Sequence, residues 1–463
     1  MNIEKKLFTV FLSPFNFYIY DANSNNIAKI SKQLYYNLLD NSNEETTEIT
    51  NELAELNASG VLIDSKLETV EDPISDDMLI YYLSNKLSML SLQLTQQCNF
   101  RCSYCKYTKA VDNRAHANKE MKLQTALNAI EFFSKRVSDS ENVNIGFYGG
   151  EPLLKFDLIY KCIEYSKPLF MGKPLSFSIT TNGSLLTEEI MEYFYQNNVH
   201  VLVSLDGPQE INDYNRKYSS NGAGTFGEVF ANLNALLTSQ RYKKNIRVNA
   251  VISPSYDYMK YENFFRNKLF SGVKIYAPFV ELENNRLPVF SKDFALSFEY
   301  SNYLTMRQIA EDKPEDYSFS ISSSYHDYYN SVIKVLEHHY PLPSIRNHSG
   351  PCLPGKKRLF VNTDGRFLPC EKVSELNELN FIGSLEKGFD FKSVRNVLNS
   401  TSSIKNECKH CWAIRFCDVC AKICNDSTKE SITNLRKHCN SLRQATKNML
   451  LDYVAIQEMM RTN

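Results

Sequence analysis

The chain has no apolar run long enough to span a bilayer. Nowhere in its 463 residues is there a stretch approaching the ~18 apolar side chains that a membrane helix requires. It also lacks an excess of charge: 52 Lys and Arg stand against 53 Asp and Glu, a formal net charge of −1. That balance gives no electrostatic footprint for nucleic acid or an anionic membrane surface. A cleavable export signal is missing as well. Met1 to Lys6 followed by Leu7 to Leu12 imitates one, but Pro14 cuts the apolar run and no small-residue cleavage site follows. Tryptophan occurs once, at position 412. What remains is an ordinary globular composition, 43% hydrophobic and 23% charged. The length is enough for two or three domains. Twelve cysteines without an export signal point to a reducing, cytoplasmic setting, where metal or iron–sulfur sites are favoured over disulfides.

The cysteines are not scattered. Cys98, Cys102 and Cys105 form a C-x3-C-x2-C motif just after the largely apolar run Met89 to Leu94, which reads as a short buried strand. Three thiolates are one short of the set a cubane iron–sulfur cluster normally takes, which leaves one iron open for another ligand. Tyr104, just before the last cysteine, would put an aromatic ring beside whatever that iron binds. A structural zinc knuckle is the competing reading, with His116 the candidate fourth ligand nearby.

Residues 1–75 read as a separate module. Strands are expected at Leu7 to Leu12, Phe15 to Tyr20 and Ile27 to Ile30, helices at Lys32 to Asp40 and Glu48 to Asn57, and a last strand at Val61 to Ile63. That is the order of a winged helix. The segment is acidic, however, and a DNA-reading helix needs basic residues. An open strand edge could instead take an extended peptide by strand addition. A linker is expected over 76–88. From Met89 to about Phe279, strands alternate with amphipathic helical stretches. Repeated βα units imply a parallel sheet with its chemistry at the strands' C-terminal ends. Residues 286–350 read as partly helical.

Polar motifs follow each strand in turn: Gly149-Gly150-Glu151-Pro152, then Thr180-Thr181-Asn182-Gly183, then Ser204-Leu205-Asp206-Gly207, with Arg216 beyond. Glycines permit close backbone approach to a ligand, Glu151 offers an acceptor for an ammonium, and Arg216 a clamp for a carboxylate. From residue 352 to the end lie eight of the twelve cysteines: Cys352, Cys370, Cys408, Cys411, Cys417, Cys420, Cys424 and Cys439. Val361 to Gly365 reads as a turn between two short strands ahead of Cys370. Zinc is again the competing occupant. Cys162, on an apolar helical stripe, reads as a core residue.

In this order the motifs resemble those of radical S-adenosylmethionine enzymes over roughly residues 89–279. The resemblance implies an α/β fold, a partial (β/α)6 barrel over 89–285. Cys98, Cys102 and Cys105 would hold a [4Fe-4S] cluster whose open iron chelates S-adenosylmethionine. It implies cofactor contacts from Gly149, Gly150, Glu151, Thr181, Asn182, Ser204, Asp206 and Arg216, with Val251 and Tyr104 flanking the adenine. The cysteines of 351–463 resemble a SPASM domain with two auxiliary [4Fe-4S] clusters. By that likeness Cys408, Cys411, Cys417 and Cys439 would hold one, and Cys352 and Cys370 the other with Cys420, Cys424 or both. The two-residue gap between Cys417 and Cys420 departs from the family spacing and leaves the split among Cys417, Cys420 and Cys424 open.

The N-terminal module resembles the recognition element that captures precursor-peptide leaders. Together these imply a maturase of cysteine-rich ribosomal peptides, of sactipeptide or ranthipeptide type, served by an electron donor such as flavodoxin or ferredoxin. Formylglycine formation as in anaerobic sulfatase maturases, and carbon–carbon crosslinking, are the rival activities. A DNA-binding iron–sulfur regulator is the rival without catalysis.

Overall fold

A computed structural model describes residues 5–40, 46–105, 107, 116–280, 289–312, 323–423 and 428–462. Residues 8–30 make a three-stranded antiparallel sheet of β1 (Phe8–Leu12), β2 (Phe17–Asp21) and β3 (Asn26–Ile30), in the order β1-β2-β3. Helices Lys32–Leu39 and Thr47–Ala58 follow, each started by a hydroxyl cap, Ser31 on the amide of Leu34 and Thr46 on that of Ile49.

The expected strand at Val61 to Ile63 does not form. Leu62 is fully buried with a positive φ of 59°, and its N–H donates to Asp21 Oδ2 at 3.0 Å. Asp21 also accepts from Asn23 N and Ser24 N, so one carboxylate fixes both the β2–β3 turn and this loop. Left-handed backbone at Leu62 is incompatible with a strand.

The alternation of side chains along β1 and β2 divides them between two cores. Val10 and Ile19 pack with Ile30, Leu34, Leu38 and Ile49 of the module itself. Phe11 and Tyr20 face the other way, into a core shared with Val332, Leu336, Cys408, Ile414, Val419 and Leu450. The segment expected to stand apart therefore shares a core with the C-terminal cysteine region.

Among the described residues the second sheet has ten strands. Six of them, β4 (Met89–Thr95), β5 (Val143–Gly149), β6 (Leu175–Thr181), β7 (Val199–Ser204), β8 (Ile246–Asn249) and β9 (Lys274–Tyr276), run parallel in chain order. Helices Leu123–Ser134, Phe156–Leu169, Glu188–Gln196, Phe226–Thr238 and Tyr258–Phe265 lie on the connections between them. Leu90, Leu92, Ile145, Phe147, Ile179, Val201, Val203 and Val248 supply the layer that meets these helices. The result is the expected partial (β/α)6 barrel.

On the free side of β4 the sheet continues through β10 (Leu359–Val361), parallel to β4, then antiparallel β11 (Arg366–Leu368), β12 (Gly383–Ser384) and β13 (Gly388–Phe389). The β10–β11 turn is the one expected before Cys370, with Gly365 at φ +79°. Helices Lys292–Ala310 and Ser323–Leu336 pack against a 34-residue C-terminal helix, Lys429–Thr462. That helix reaches back to the first sheet, where Glu458 accepts from Ser13 Oγ at 2.9 Å and Tyr18 OH at 2.8 Å.

Candidate functional site

The motif residues at the barrel lie at or just beyond the C-terminal ends of β4 to β8. The cysteine loop leaves β4 at Thr95 and is tied to a second segment downstream. Ser219 N donates to Asn99 O at 2.8 Å, Arg101 N to Lys217 O at 2.8 Å, and Ser103 N to Asn215 O at 3.0 Å. Cys98, Cys102 and Cys105 lie within electrostatic reach of one another, Cys102 buried and the others half-buried. Burial pushes the Cys98 thiol up to about 12 and that of Cys102 to about 11. Thiolates at this site therefore need positive charge to offset desolvation, and cluster iron supplies it.

Gly149 and Gly150 meet the chain itself: a Cβ on Gly150 would stand 2.1 Å from Gln97 O, and one on Gly149 2.3 Å from Thr95 O. These glycines let β5 lie against the cysteine loop, with Gly150 N donating to Thr95 O and Glu151 N to Gln97 O, both at 2.8 Å. Expected as ligand-facing, they act first on the loop.

Glu151 is almost wholly buried. It accepts from Leu153 N at 3.0 Å, Thr181 Oγ1 at 2.7 Å and Asn182 N at 2.7 Å. Burial raises its pKa to about 7 against the pull of those donors, so an incoming cation would be strongly favoured there. Asn182 Nδ2 lies 2.8 Å from Asn99 Oδ1 and 3.9 Å from Cys98 Sγ. Asn182 thus joins the end of β6 to the cysteine loop, and Thr181 ties the strand to Glu151.

Asp206 and Arg216, expected against a cofactor, are engaged with each other at 3.1 Å, both buried. Asp206 further accepts from Tyr104 OH at 2.6 Å and Val251 N at 3.1 Å. Ser204 closes β7 at the same rim. His116 faces the carbonyl of Gln96, 3.3 Å away, rather than the three thiols.

The C-terminal cysteines separate into two groups. Cys408, Cys411, Cys417 and Cys439 line one small pocket with His348, Thr401 and Arg443. Cys420 lies within electrostatic reach of Cys352 and of Cys370. Cys424 lies outside the described residues. Among the described residues no group of three or more His, Cys, Asp and Glu side chains is set to chelate a single metal ion; a cubane spreads its thiolates over separate irons. Cys162 is a core residue of the barrel.

Several residues at these sites carried no sequence motif. His348 is buried, with Nε2 3.0 Å from Val419 O and Nδ1 3.1 Å from Thr401 Oγ1, and burial lowers its pKa to about 4. Arg443 Nη1 lies 3.9 Å from Cys411 Sγ. At the barrel, buried Gln93 donates to Tyr107 OH at 2.8 Å and to Glu375 at 2.6 Å. Only Gln93 left a trace in the sequence, as a polar residue between Leu92 and Leu94 on an otherwise apolar strand.

Residues 92–252 match the family model of the Radical SAM superfamily. These residues form a radical SAM domain. The chain is 25% identical to a cysteine-type anaerobic sulfatase-maturating enzyme of Clostridium novyi, over 75% of this chain and 90% of that protein. It is also 25% identical to the radical SAM cyclopropyl synthase TigE of Paramaledivibacter caminithermalis, over 72% of this chain and 67% of that one. Among solved structures, anSMEcpe with bound AdoMet and a Cp18Cys peptide superposes with a TM-score of 0.55 at 20% identity, covering 78% of this chain and 99% of that one. The radical SAM fold carries with it a [4Fe-4S] cluster and S-adenosylmethionine, and three clustered cysteines beside a buried carboxylate fit that pair of groups. No helix among the described residues is long and apolar enough to cross a membrane.

Proposed function

We propose that this radical SAM enzyme matures a ribosomally made, cysteine-rich precursor peptide by forming thioether bonds between cysteine sulfur and carbon. In this reading Cys98, Cys102 and Cys105 hold the cluster that cleaves S-adenosylmethionine, which supplies a 5′-deoxyadenosyl radical for hydrogen abstraction. Glu151 receives the ammonium of the methionine group. Thr181 and Asn182 hold Glu151 and the cysteine loop in register, and Ser204 and Val251 border the nucleoside. Closing the site around these groups excludes water from a reactive intermediate.

The observation that carries the peptide reading is the pairing of two cysteine groups with an N-terminal sheet in which β3, paired with β2 on one side, is an edge strand among the described residues. We assign one auxiliary cluster to Cys408, Cys411, Cys417 and Cys439, and a second to Cys352, Cys370 and Cys420 with Cys424. Residues 1–75 would take the leader along β3. Its backbone groups are available for strand addition, beside a groove formed by Tyr18, Asn26, Ile27, Glu337, Tyr453 and Arg461. A reduced flavodoxin or ferredoxin would deliver the electron.

The relative from Clostridium novyi favours a second reading, oxidation of a peptidyl cysteine to formylglycine. One experiment separates the two. The reconstituted enzyme is incubated with S-adenosylmethionine, reductant and a synthetic cysteine-rich peptide, and the product is alkylated and fragmented. A thioether loses two hydrogens, keeps its sulfur and resists alkylation. Formylglycine loses the sulfur, and a carbon–carbon crosslink leaves the thiol free to alkylate. Either of the last two products would refute the thioether reading.

A further inference from the structure

The ion pair of Asp206 and Arg216 is buried in the barrel rim and points at the cysteine loop rather than at solvent. The backbone of Asn215 and Lys217 bonds to Ser103 and Arg101, and this extended pairing turns the side chain of Arg216 inward under Cys102. Arg216 Nη1 lies 3.9 Å from Cys102 Sγ, and its guanidinium is 5.6 Å from the centre of the Tyr104 ring. Asp206 is fully buried and held from two sides, by the Tyr104 hydroxyl at 2.6 Å and the Val251 amide at 3.1 Å. Arginine at this depth is costly unless paired, and the pair is tied to one cluster ligand in particular.

We propose that Arg216 and Asp206 are positioning residues that set how readily the cluster on Cys98, Cys102 and Cys105 accepts an electron. A cluster gains negative charge on reduction, so a fixed cation beside one of its sulfurs favours the reduced form. The carboxylate behind that cation tempers the effect. Hydrogen bonds and net charge at the sulfurs are the levers a protein has over such a potential, and a water-poor site makes each charge count for more. Tyr104 completes the device by fixing Asp206 behind the guanidinium. This inference rests on the assignment of the three cysteines as cluster ligands.

The test is a potentiometric titration of anaerobically reconstituted holoenzyme. It follows by electron paramagnetic resonance the cluster signal that changes when S-adenosylmethionine is added. Arg216→Gln should lower the reduced-to-oxidised ratio at a fixed potential about tenfold, equivalent to about 59 mV for a one-electron couple. Asp206→Asn should raise that ratio, and Arg216→Lys should stay near the wild type. Loosened packing would move both uncharged variants in the same direction, so opposite signs are the mark of charge. Equal potentials, or shifts of one sign in both, would overturn the proposal. If Arg216→Gln loses its iron, the Asp206→Asn shift decides alone: upward supports the pairing, and no shift or a downward one overturns it. The ligand assignment fails separately, if the same signal persists in Cys102→Ala.

Discussion

Arg415 lies between Cys411 and Cys417, yet its side chain is spent on the N-terminal sheet. Its guanidinium donates to Ala22 O at 2.6 Å, Asn23 O at 2.9 Å and Tyr340 O at 2.5 Å, in a site where Arg415 is 5% exposed. Tyr20 packs beside it, edge-on to Trp412 at 6.4 Å and to Phe416 at 5.8 Å. Arg415→Ala removes three charge-assisted hydrogen bonds, each worth roughly 1.5–3 kcal/mol, and leaves three carbonyls short of a donor. Relief from burying a guanidinium offsets part of the loss. A net destabilisation of about 3 kcal/mol is expected.

The N-terminal sheet and the cysteine region share one core, so they should melt as one unit. For a unit of about 200 residues, each kcal/mol moves the midpoint by roughly 2–4 °C, which gives a fall of roughly 6–12 °C. Calorimetry of the apo-protein, with hydrogen exchange on β1 and β2, reads both the midpoint and its location. If Cys408, Cys411, Cys417 and Cys439 hold the proposed cluster, its iron should also decline, because the same loop carries Cys411 and Cys417. An unchanged midpoint, or an N-terminal sheet that melts separately in both proteins, would refute the shared-core argument.

With the two proposed auxiliary clusters in place, replacing Cys98, Cys102 and Cys105 together by Ala should lower iron from about twelve per chain to about eight, the loss of one cubane. Zinc in place of iron at the C-terminal cysteines would instead mark a structural knuckle. Gly150→Ala should cost the same cluster without touching a ligand, because its Cβ would collide with Gln97 O at 2.1 Å; iron analysis beside circular dichroism separates cluster loss from unfolding. In the apo-protein Glu151 titrates near 7, above its ordinary 4.5. The folded state then holds a proton that the unfolded state has released, so stability falls as pH rises from 4.5 to 7. Glu151→Gln should flatten that slope by about one proton, readable from urea midpoints across the range.

Much of the barrel was legible because its signals are local. Strand-length apolar runs, helical spacing between them and polar motifs at the strand ends all act through neighbouring residues. The strand expected at Val61 to Ile63 failed for the opposite reason: the Leu62 amide bonds to Asp21, some forty positions away, in a left-handed turn, while Val61 and Leu62 pack into the core of the module. The core that residues 1–75 share with the cysteine region was illegible on the same ground. β1 and β2 alternate as any half-buried strands would, and nothing in that pattern tells which body covers the second face.

The sequence by itself determined the cysteine triplet, the carboxylate after β5 and the order of the parallel strands. Spacing and periodicity are written along the chain. Only the tertiary structure decided which cysteines meet. It set Cys417 beside Cys408, Cys411 and Cys439, and Cys420 near Cys352 and Cys370. It also turned Arg216 from a free clamp into the partner of Asp206 beneath Cys102. Those outcomes depend on contacts between segments far apart in sequence, and the low-dielectric interior that gives such contacts their strength exists only once the chain has closed around them.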